Sequence, residues 1–133
     1  MVKLFNPSGI HKPLGYSHVA EVTSGKLIYI AGQVAMDAEG NLVGKDDFAA
    51  QMRQVFENLQ QALGAAGATF HNVIKLNYYC ADSVDLAAQL PMVREIRDQL
   101  VNTEAPPAST FVVVRRLVRP EWLIEVEAVA VVD

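Results

Sequence analysis

The sequence has few of the residues that several classes of protein require. It has one cysteine, Cys80, among 133 residues, so an internal disulfide cannot form, and a reducing cytosol fits this composition. No apolar run approaches the roughly 18 residues of a membrane span. The chain does not open with a basic stretch followed by an apolar run. We therefore expect a cytoplasmic protein with no signal peptide and no membrane partner.

Basic clusters are scarce as well. The formal net charge is −4, and the only local group of arginines is Arg115, Arg116 and Arg119 around one turn. Phosphate binding needs clustered Lys and Arg side chains, so nucleic acid is not expected as a main partner.

The usual signatures of a cofactor or metal site are also missing. His11, His18 and His71 do not have the spacing of metal ligands. The glycines Gly64 and Gly67 end a predicted helix instead of opening one, so they do not form a phosphate-binding loop. Cys80 has no neighbouring His–Asp arrangement. We expect no cofactor and no metal, and we expect Cys80 to be a small buried hydrophobe.

What the chain does contain is enough apolar sequence for one domain over residues 1–133. Hydrophobic residues make up 51% of the chain and charged residues 20%, as in an ordinary globular protein. Period-two and helical patterns alternate along it, and Ser24-Gly25 predicts a hairpin between the first two strands. The predicted strands are 15–23, 26–31, 73–80, 110–116 and 123–132, and the predicted helices are 47–66 and 91–101.

Three proposed element boundaries depend on single residues. Asp46 or Asp47 is placed to cap the first helix. Ser83 can cap a short turn over 84–89, after which Pro91 starts the second helix. Pro120 interrupts the end of the chain, which therefore resembles two strands joined by a short polar turn.

This order of elements predicts an α+β fold, a mixed sheet with two helices packed on one face. The other face of the sheet also looks apolar. One layer of helices cannot cover both faces, so we expect an oligomer.

The last strand begins with two carboxylates, Glu125 and Glu127. An unpaired buried charge is costly, so these side chains need partners or water. One interpretation is that both lie at a wet end of the sheet. The other is that Glu125 lines a pocket and orients a water molecule or a polar substrate.

Several short segments resemble the Rid (YjgF/YER057c/UK114) family. Pro107-Ala108, a strand, and the run 123–128 (LIEVEA) are similar to that family's signature, and Leu14-Gly15-Tyr16 and 30–33 (IAGQ) fit its N-terminal part. The resemblance covers nearly the whole chain. It implies a chorismate-mutase-like fold and a homotrimer with a central β-barrel and small-molecule pockets between subunits.

The resemblance also implies site residues. Tyr16 matches the pocket tyrosine, Gly32 the pocket glycine and Glu125 the glutamate that positions water. Ser109 stands where the family's deaminases carry an arginine that grips a substrate carboxylate. Phe111 adds aromatic surface if it faces the same cavity, although a strand aromatic usually packs in the core.

The function implied is hydrolysis of a reactive imine or enamine metabolite to a carbonyl compound and ammonia. Without the arginine, a carboxylated imine should bind at least tens of times more weakly, since each charge-assisted hydrogen bond contributes about 1.5–3 kcal/mol. A neutral, amine or amide ligand is then favoured, unless Arg94, Arg97 or Arg119 reaches in from a neighbouring subunit. The alternatives are a non-catalytic ligand-binding or regulatory trimer and, least favoured, an endoribonuclease.

Overall fold

A computed structural model describes all 133 residues. Its elements are, in chain order, the strands β1 (Val2–Phe5), β2 (Val19–Val22) and β3 (Lys26–Gln33), helix α1 (Phe48–Ala65), strand β4 (Val73–Ala81), helix α2 (Leu86–Asp98), and the strands β5 (Ala108–Val114) and β6 (Ile124–Val132). Both helices pack on one face of a mixed sheet, as predicted. Neither is long and apolar enough to cross a membrane.

The main sheet has the strand order β3-β6-β4-β5. The final strand, β6, is antiparallel to both of its neighbours, and β4 is parallel to β5. The two predicted strands at the end of the chain are present, but they are not neighbours in the sheet. The chain crosses over β4 between β5 and β6, so the apolar β6 is paired along both edges.

The predicted hairpin between the strands on either side of Ser24-Gly25 is also wrong. β2 pairs with β1 in a separate two-stranded sheet, from Val2 opposite Val22 to Phe5 opposite Val19. β3 pairs with β6 instead. With nine residues, β6 is long enough to pair along the eight residues of β3. β2 has only four residues and could pair with half of β3 at most.

Helix α1 forms where the sequence predicts it. The Oδ1 atom of Asp47 accepts a hydrogen bond from the Ala50 amide at 3.1 Å, so Asp47, one of the two residues proposed for this role, caps the helix. The buried face of the helix includes the apolar residues Phe48, Met52, Val55, Phe56, Leu59 and Leu63.

Helix α2 does not begin at Pro91, contrary to the prediction. Asp85 caps it, Ser83 does not, and Pro91 lies inside a continuous helix. The missing Pro91 amide would have bonded the carbonyl of Ala87. Both residues are exposed, so water can take the place of that hydrogen bond.

The two faces of the main sheet have different surroundings. Under the helices, the face we call the helix-covered face includes Leu76, Tyr78 and Val126, which are all buried. The opposite face, which we call the open face, carries Leu27 and Tyr29 in exposed positions. The core lies between the sheet and α1, with a contribution from Val93 and Ile96 of α2.

Candidate functional site

A cavity of about 260 Å³ lies between α2, β5 and the segment that precedes β2. Three of the residues singled out by the resemblance, Tyr16, Ser109 and Phe111, line it together. We call this cavity the helix-side pocket. Phe111 therefore contributes to a cavity and also packs at the edge of the core.

Tyr16 is held beside β5 by its neighbour, Ser17. The Ser17 amide donates to the carbonyl of Pro107 at 3.1 Å, and the Ser17 hydroxyl donates to the carbonyl of Pro106 at 2.6 Å. Ser17 is buried and forms a parallel bridge with Ala108. These contacts attach the segment to the start of β5 and bring Tyr16 to the pocket that Ser109 lines. The Tyr16 hydroxyl is 2.9 Å from His11 Nε2.

The inner wall of the helix-side pocket includes Tyr78, which stacks on Phe111. Their ring centroids are 5.0 Å apart and the ring planes are 15° from parallel. Tyr78 is only 2% exposed, and its hydroxyl has no hydrogen-bond partner. Burial raises the pKa of Tyr78, an effect that the Arg97 charge opposes and the Asp98 charge reinforces. An unpaired buried hydroxyl costs about 1–3 kcal/mol, so this group needs an explanation.

Two arginines of α2, Arg94 and Arg97, also line the helix-side pocket. The Arg97 side chain is 13% exposed and forms an ion pair with Asp98, in which Nη2 lies 2.9 Å from Oδ1. Its guanidinium lies close against Gly15, since a β-carbon at position 15 would be 3.1 Å from Arg97 Cζ. Gly15 also has a φ of +77°, so glycine suits the position in both respects.

A second group of residues lies on the open face, where Gly32 approaches Glu125. The pairing of β3 with β6 shifts between Ile30 and Gln33, so Gly32 lies in a bulge. A β-carbon at position 32 would lie 2.8 Å from the carboxyl carbon of Glu125. Glycine at this position therefore leaves room for the carboxylate.

The two carboxylates of β6 have different partners. Glu127 accepts a hydrogen bond from the Tyr79 hydroxyl, which raises the pKa of Tyr79. Glu125 has no hydrogen bond or ion pair within the chain. Partial burial, and then the charge of Glu127, raise the pKa of Glu125. A free carboxylate with a raised pKa is a stronger proton acceptor than an ordinary carboxylate.

The helix-side pocket and Glu125 lie on opposite faces of the sheet. Ser109 pairs with Leu76 and Phe111 pairs with Tyr78, both on the helix-covered face. Glu125 pairs with Tyr79, which points to the open face because side chains alternate along a strand. Within one chain, Glu125 and Gly32 therefore form one half of the predicted site, and Tyr16, Ser109 and Phe111 form the other.

Tyr78 and Arg97 are the polar residues of the helix-side pocket with the least exposure that were not identified from the sequence as part of this chain's own site. Tyr78 shares the strand parity of Leu76, and Arg97 falls on the inner, otherwise apolar face of its helix. The sequence feature that could have identified Arg97 is the presence of an arginine on an otherwise apolar helix face. The sequence suggested Arg97 only as a contribution from a neighbouring subunit, because the packing of α2 against β5 depends on tertiary contacts.

Cys80 lies on the helix-covered face and is fully buried. Burial raises the pKa of its thiol to about 11, so the thiolate, which is the reactive form, is scarce at neutral pH. This agrees with the expectation of a small buried hydrophobe.

Comparisons with known proteins agree with the fold and with the resemblance. The family model described as Endoribonuclease L-PSP matches residues 10–132. A RutC family protein of Pyrococcus horikoshii is 37% identical over 120 residues, which are 90% of this chain and 89% of the relative. The crystal structure of the Rid-family protein YyfB from Yersinia pestis is similar with a TM-score of 0.84 and 36% identity, and covers 98% of both chains.

A more distant relative has a named activity. The 3-aminoacrylate deaminase RutC of Acinetobacter baylyi is 28% identical over 124 residues, which are 93% of each chain. Together with the family model, these matches show that the chain belongs to the Rid (YjgF/YER057c/UK114) family.

Proposed function

We propose that the protein is a homotrimeric hydrolase that converts a reactive imine or enamine metabolite to a carbonyl compound and ammonia. The observation that carries this proposal is the Glu125 carboxylate, which has a raised pKa, no partner within the chain and a bulged glycine, Gly32, leaving room beside it. A carboxylate in these surroundings can hold a water molecule and accept its proton.

The reaction balances with water as the only co-reactant. The water oxygen attacks the carbon of the C=N bond while Glu125 accepts one of the water protons. Glu125 passes that proton to the nitrogen, which gives a tetrahedral intermediate with one hydroxyl and one amino group. As the C–N bond breaks, Glu125 transfers the hydroxyl proton to the nitrogen, the carbonyl forms and ammonia leaves. An enamine enters the same sequence after it gains a proton at carbon and loses one from nitrogen, which gives the imine.

A second copy of the chain completes the site in this proposal. The Glu125 half and the half with Tyr16, Ser109 and Phe111 lie on opposite faces of one sheet, so they meet only if one subunit's open face lies against the next subunit's pocket edge. The exposed apolar residues Leu27 and Tyr29 on the open face support its burial by a copy. A trimer with a central barrel provides this arrangement three times.

The named activity of the RutC deaminase supports the reaction class, because 3-aminoacrylate is an enamine. Ser109 favours a different ligand range, or a non-catalytic trimer that binds a metabolite, since it offers a neutral hydroxyl in place of a cation. The family description as an endoribonuclease has less support here, because the net charge is −4.

The test is ammonia release from imines generated in situ, one with a carboxylate and one with a neutral group in its place. We expect activity in the wild type and a loss of at least a hundredfold in Glu125→Gln, a typical range for removal of a general base. Glu21→Gln, an exposed carboxylate of β2, is the matched control and should keep full activity.

The same assay on Ser109→Arg separates the alternatives. Activity only in Ser109→Arg would mean that the scaffold is competent and that the natural ligand differs from the imines used. No release by the wild type or by Ser109→Arg would reject hydrolysis of these imines and favour the binding protein.

A further inference from the structure

We infer that the helix-side pocket binds a small carboxylate and that Arg97 of α2, with the Tyr78 hydroxyl, supplies the recognition that Ser109 does not. Arg97 is then a specificity-determining residue from the same chain, and no arginine from a neighbouring subunit is needed for the clamp. The inference deepens the proposed function and relies on it only for what happens to the ligand after binding.

The first support is the free hydrogen-bonding capacity of Arg97. A guanidinium has five N–H donors, and those on Nε and Nη2 lie 2.9 Å from Oδ1 of Asp98. No other hydrogen bond from this guanidinium is present. The remaining donors include those on Nη1, and a planar guanidinium fits the two oxygens of a carboxylate.

The second support is the buried hydroxyl of Tyr78. It belongs to a side chain that lines the same cavity, it is without a partner, and it is close enough to Arg97 and Asp98 to be influenced by both charges. Because burial keeps this phenol protonated, it can donate a hydrogen bond to a carboxylate oxygen. This hydroxyl is closed off from solvent, so a carboxylate at Arg97 becomes its partner when the wall of the cavity shifts to admit the ligand.

The charges around the cavity favour an anion over the amine or amide expected from Ser109 alone. Arg94 is exposed and lines the cavity with Arg97, and Asp98 offsets only one of these two positive charges. The rest of the wall is mainly apolar and includes the Phe111 ring. This combination fits a carboxylate that carries a small apolar group.

Gly15 and Ser17 hold the arrangement together. Gly15 lets the guanidinium lie against the backbone, and Ser17 attaches the same segment to Pro106 and Pro107 at the start of β5. The arginine on α2 and the serine on β5 therefore face a single cavity, where an arginine at position 109 would compete with Arg97 for space and charge.

The test measures binding by calorimetry, with 4-methyl-2-oxopentanoate as the probe and its amide as a neutral counterpart of similar shape. The wild type should bind the acid more tightly than the amide. Arg97→Gln should weaken acid binding by about tenfold to a hundredfold, the range for loss of one charge-assisted hydrogen bond, and should leave amide binding nearly unchanged. Arg53→Gln, an exposed arginine of α1, is the matched control and should change neither.

Two further variants separate recognition from a structural role. Asp98→Asn removes the ion pair but frees Arg97, so acid binding should be kept or become tighter. Tyr78→Phe should weaken acid binding by about twofold to tenfold, the range for a neutral hydrogen bond, while its melting temperature stays equal or rises. Equal losses of acid and amide binding in Arg97→Gln and Asp98→Asn would overturn the inference, as would equal wild-type affinity for acid and amide.

This design distinguishes a failure of the binding inference from a failure of the proposed reaction, because the probe is a carbonyl acid that releases no ammonia. Glu125→Gln should still bind the acid, and more tightly than the wild type where the two halves of the site meet, because a negative charge beside the bound carboxylate is removed. If the wild type binds the acid through Arg97 and hydrolyses no imine, the proposed function fails and the carboxylate pocket stands. If it hydrolyses imines without preferring the acid, the pocket inference fails and the proposed function stands.

Discussion

Strand β4 presents Leu76, Tyr78 and Cys80 to the helix-covered face, and Lys75, Asn77 and Tyr79 to the open face. The first set is buried under two helices. The second set is half-buried and makes polar contacts across the sheet, such as the Lys75 Nζ bond to the Thr110 hydroxyl at 2.9 Å.

This difference between the faces shows where polar and ionisable side chains are accessible in a single chain. The helix-covered face carries the buried core, and the helix-side pocket lies at its β5 edge beside α2. The open face keeps polar and carboxylate side chains among exposed apolar residues, which is the pattern of a surface that is completed by another molecule. Assembly should therefore affect the open face strongly and the helix-covered face little.

The largest expected effect comes from placing a charge on the open face. Tyr29 is 76% exposed there, on the edge strand β3. If three copies bury this position, Tyr29→Glu should dissociate them, because a buried unpaired charge costs several kcal/mol. Light scattering should show the wild type at about three times the 14.5 kDa of one chain, and the variant at one chain.

Tyr29→Phe is the control for this experiment, because it keeps the ring and should keep the wild-type mass. A Tyr29→Glu variant that retains the trimer mass would show that the open face is not where the copies meet.

A smaller effect is expected when a leucine packed under the helix-covered face and a leucine of the open face are each replaced by alanine. Leu59 of α1 is 0% exposed and Leu27 of β3 is 49% exposed. Leu59→Ala should lower the free energy of unfolding by about 2–5 kcal/mol, because it leaves a cavity in the core. Leu27→Ala should cost less than half as much in urea unfolding at low protein concentration. Equal costs would mean that the two faces are covered to the same extent in a single chain.

The smallest effect is the dependence of the free energy of unfolding on pH that Glu125 introduces. Its pKa is raised in the folded state by partial burial and by Glu127, so the native protein binds more protons than the unfolded chain between the two pKa values. The free energy of unfolding should therefore fall as the pH rises through that window. Glu125→Gln should remove this dependence and be the more stable protein near neutral pH.

The proposed activity should depend on pH in the opposite direction to the free energy of unfolding. A general base works when it is deprotonated, so kcat/KM should fall as the pH drops through the raised pKa of Glu125. Removing the neighbouring charge with Glu127→Gln should move this acidic limb to lower pH. A limb that stays in place in Glu127→Gln would show that another group controls it.

Local patterns in the sequence were sufficient for the elements that depend on near neighbours. The cap at Asp47 and the apolar face of α1 lie within one helix, so both depend on residues that are close in sequence. Pro91 led to a wrong helix start because the cost of a proline depends on whether its carbonyl partner can meet water, which is a property of the packed helix.

The arrangement of the sheet and of the site was not available from local patterns. Strand order and register are set by contacts between distant segments, so nothing near Ser24-Gly25 shows that β3 pairs with β6. Whether Ser109 and Glu125 share a face depends on the register of both strands with β4. The approach of Arg97 to the cavity depends in turn on how α2 docks.

The strand order also has a consequence for how the chain is made. Among the strands of the main sheet, β6 is synthesised after the other three, and it lies between β3 and β4. Until it arrives, β3 and α1 have no sheet to join, and the parallel pair of β4 and β5 is the only part of the main sheet that can form. The main core is therefore closed in a late step, and a nascent chain without residues 124–132 exposes both its apolar helix face and its unpaired strand edges.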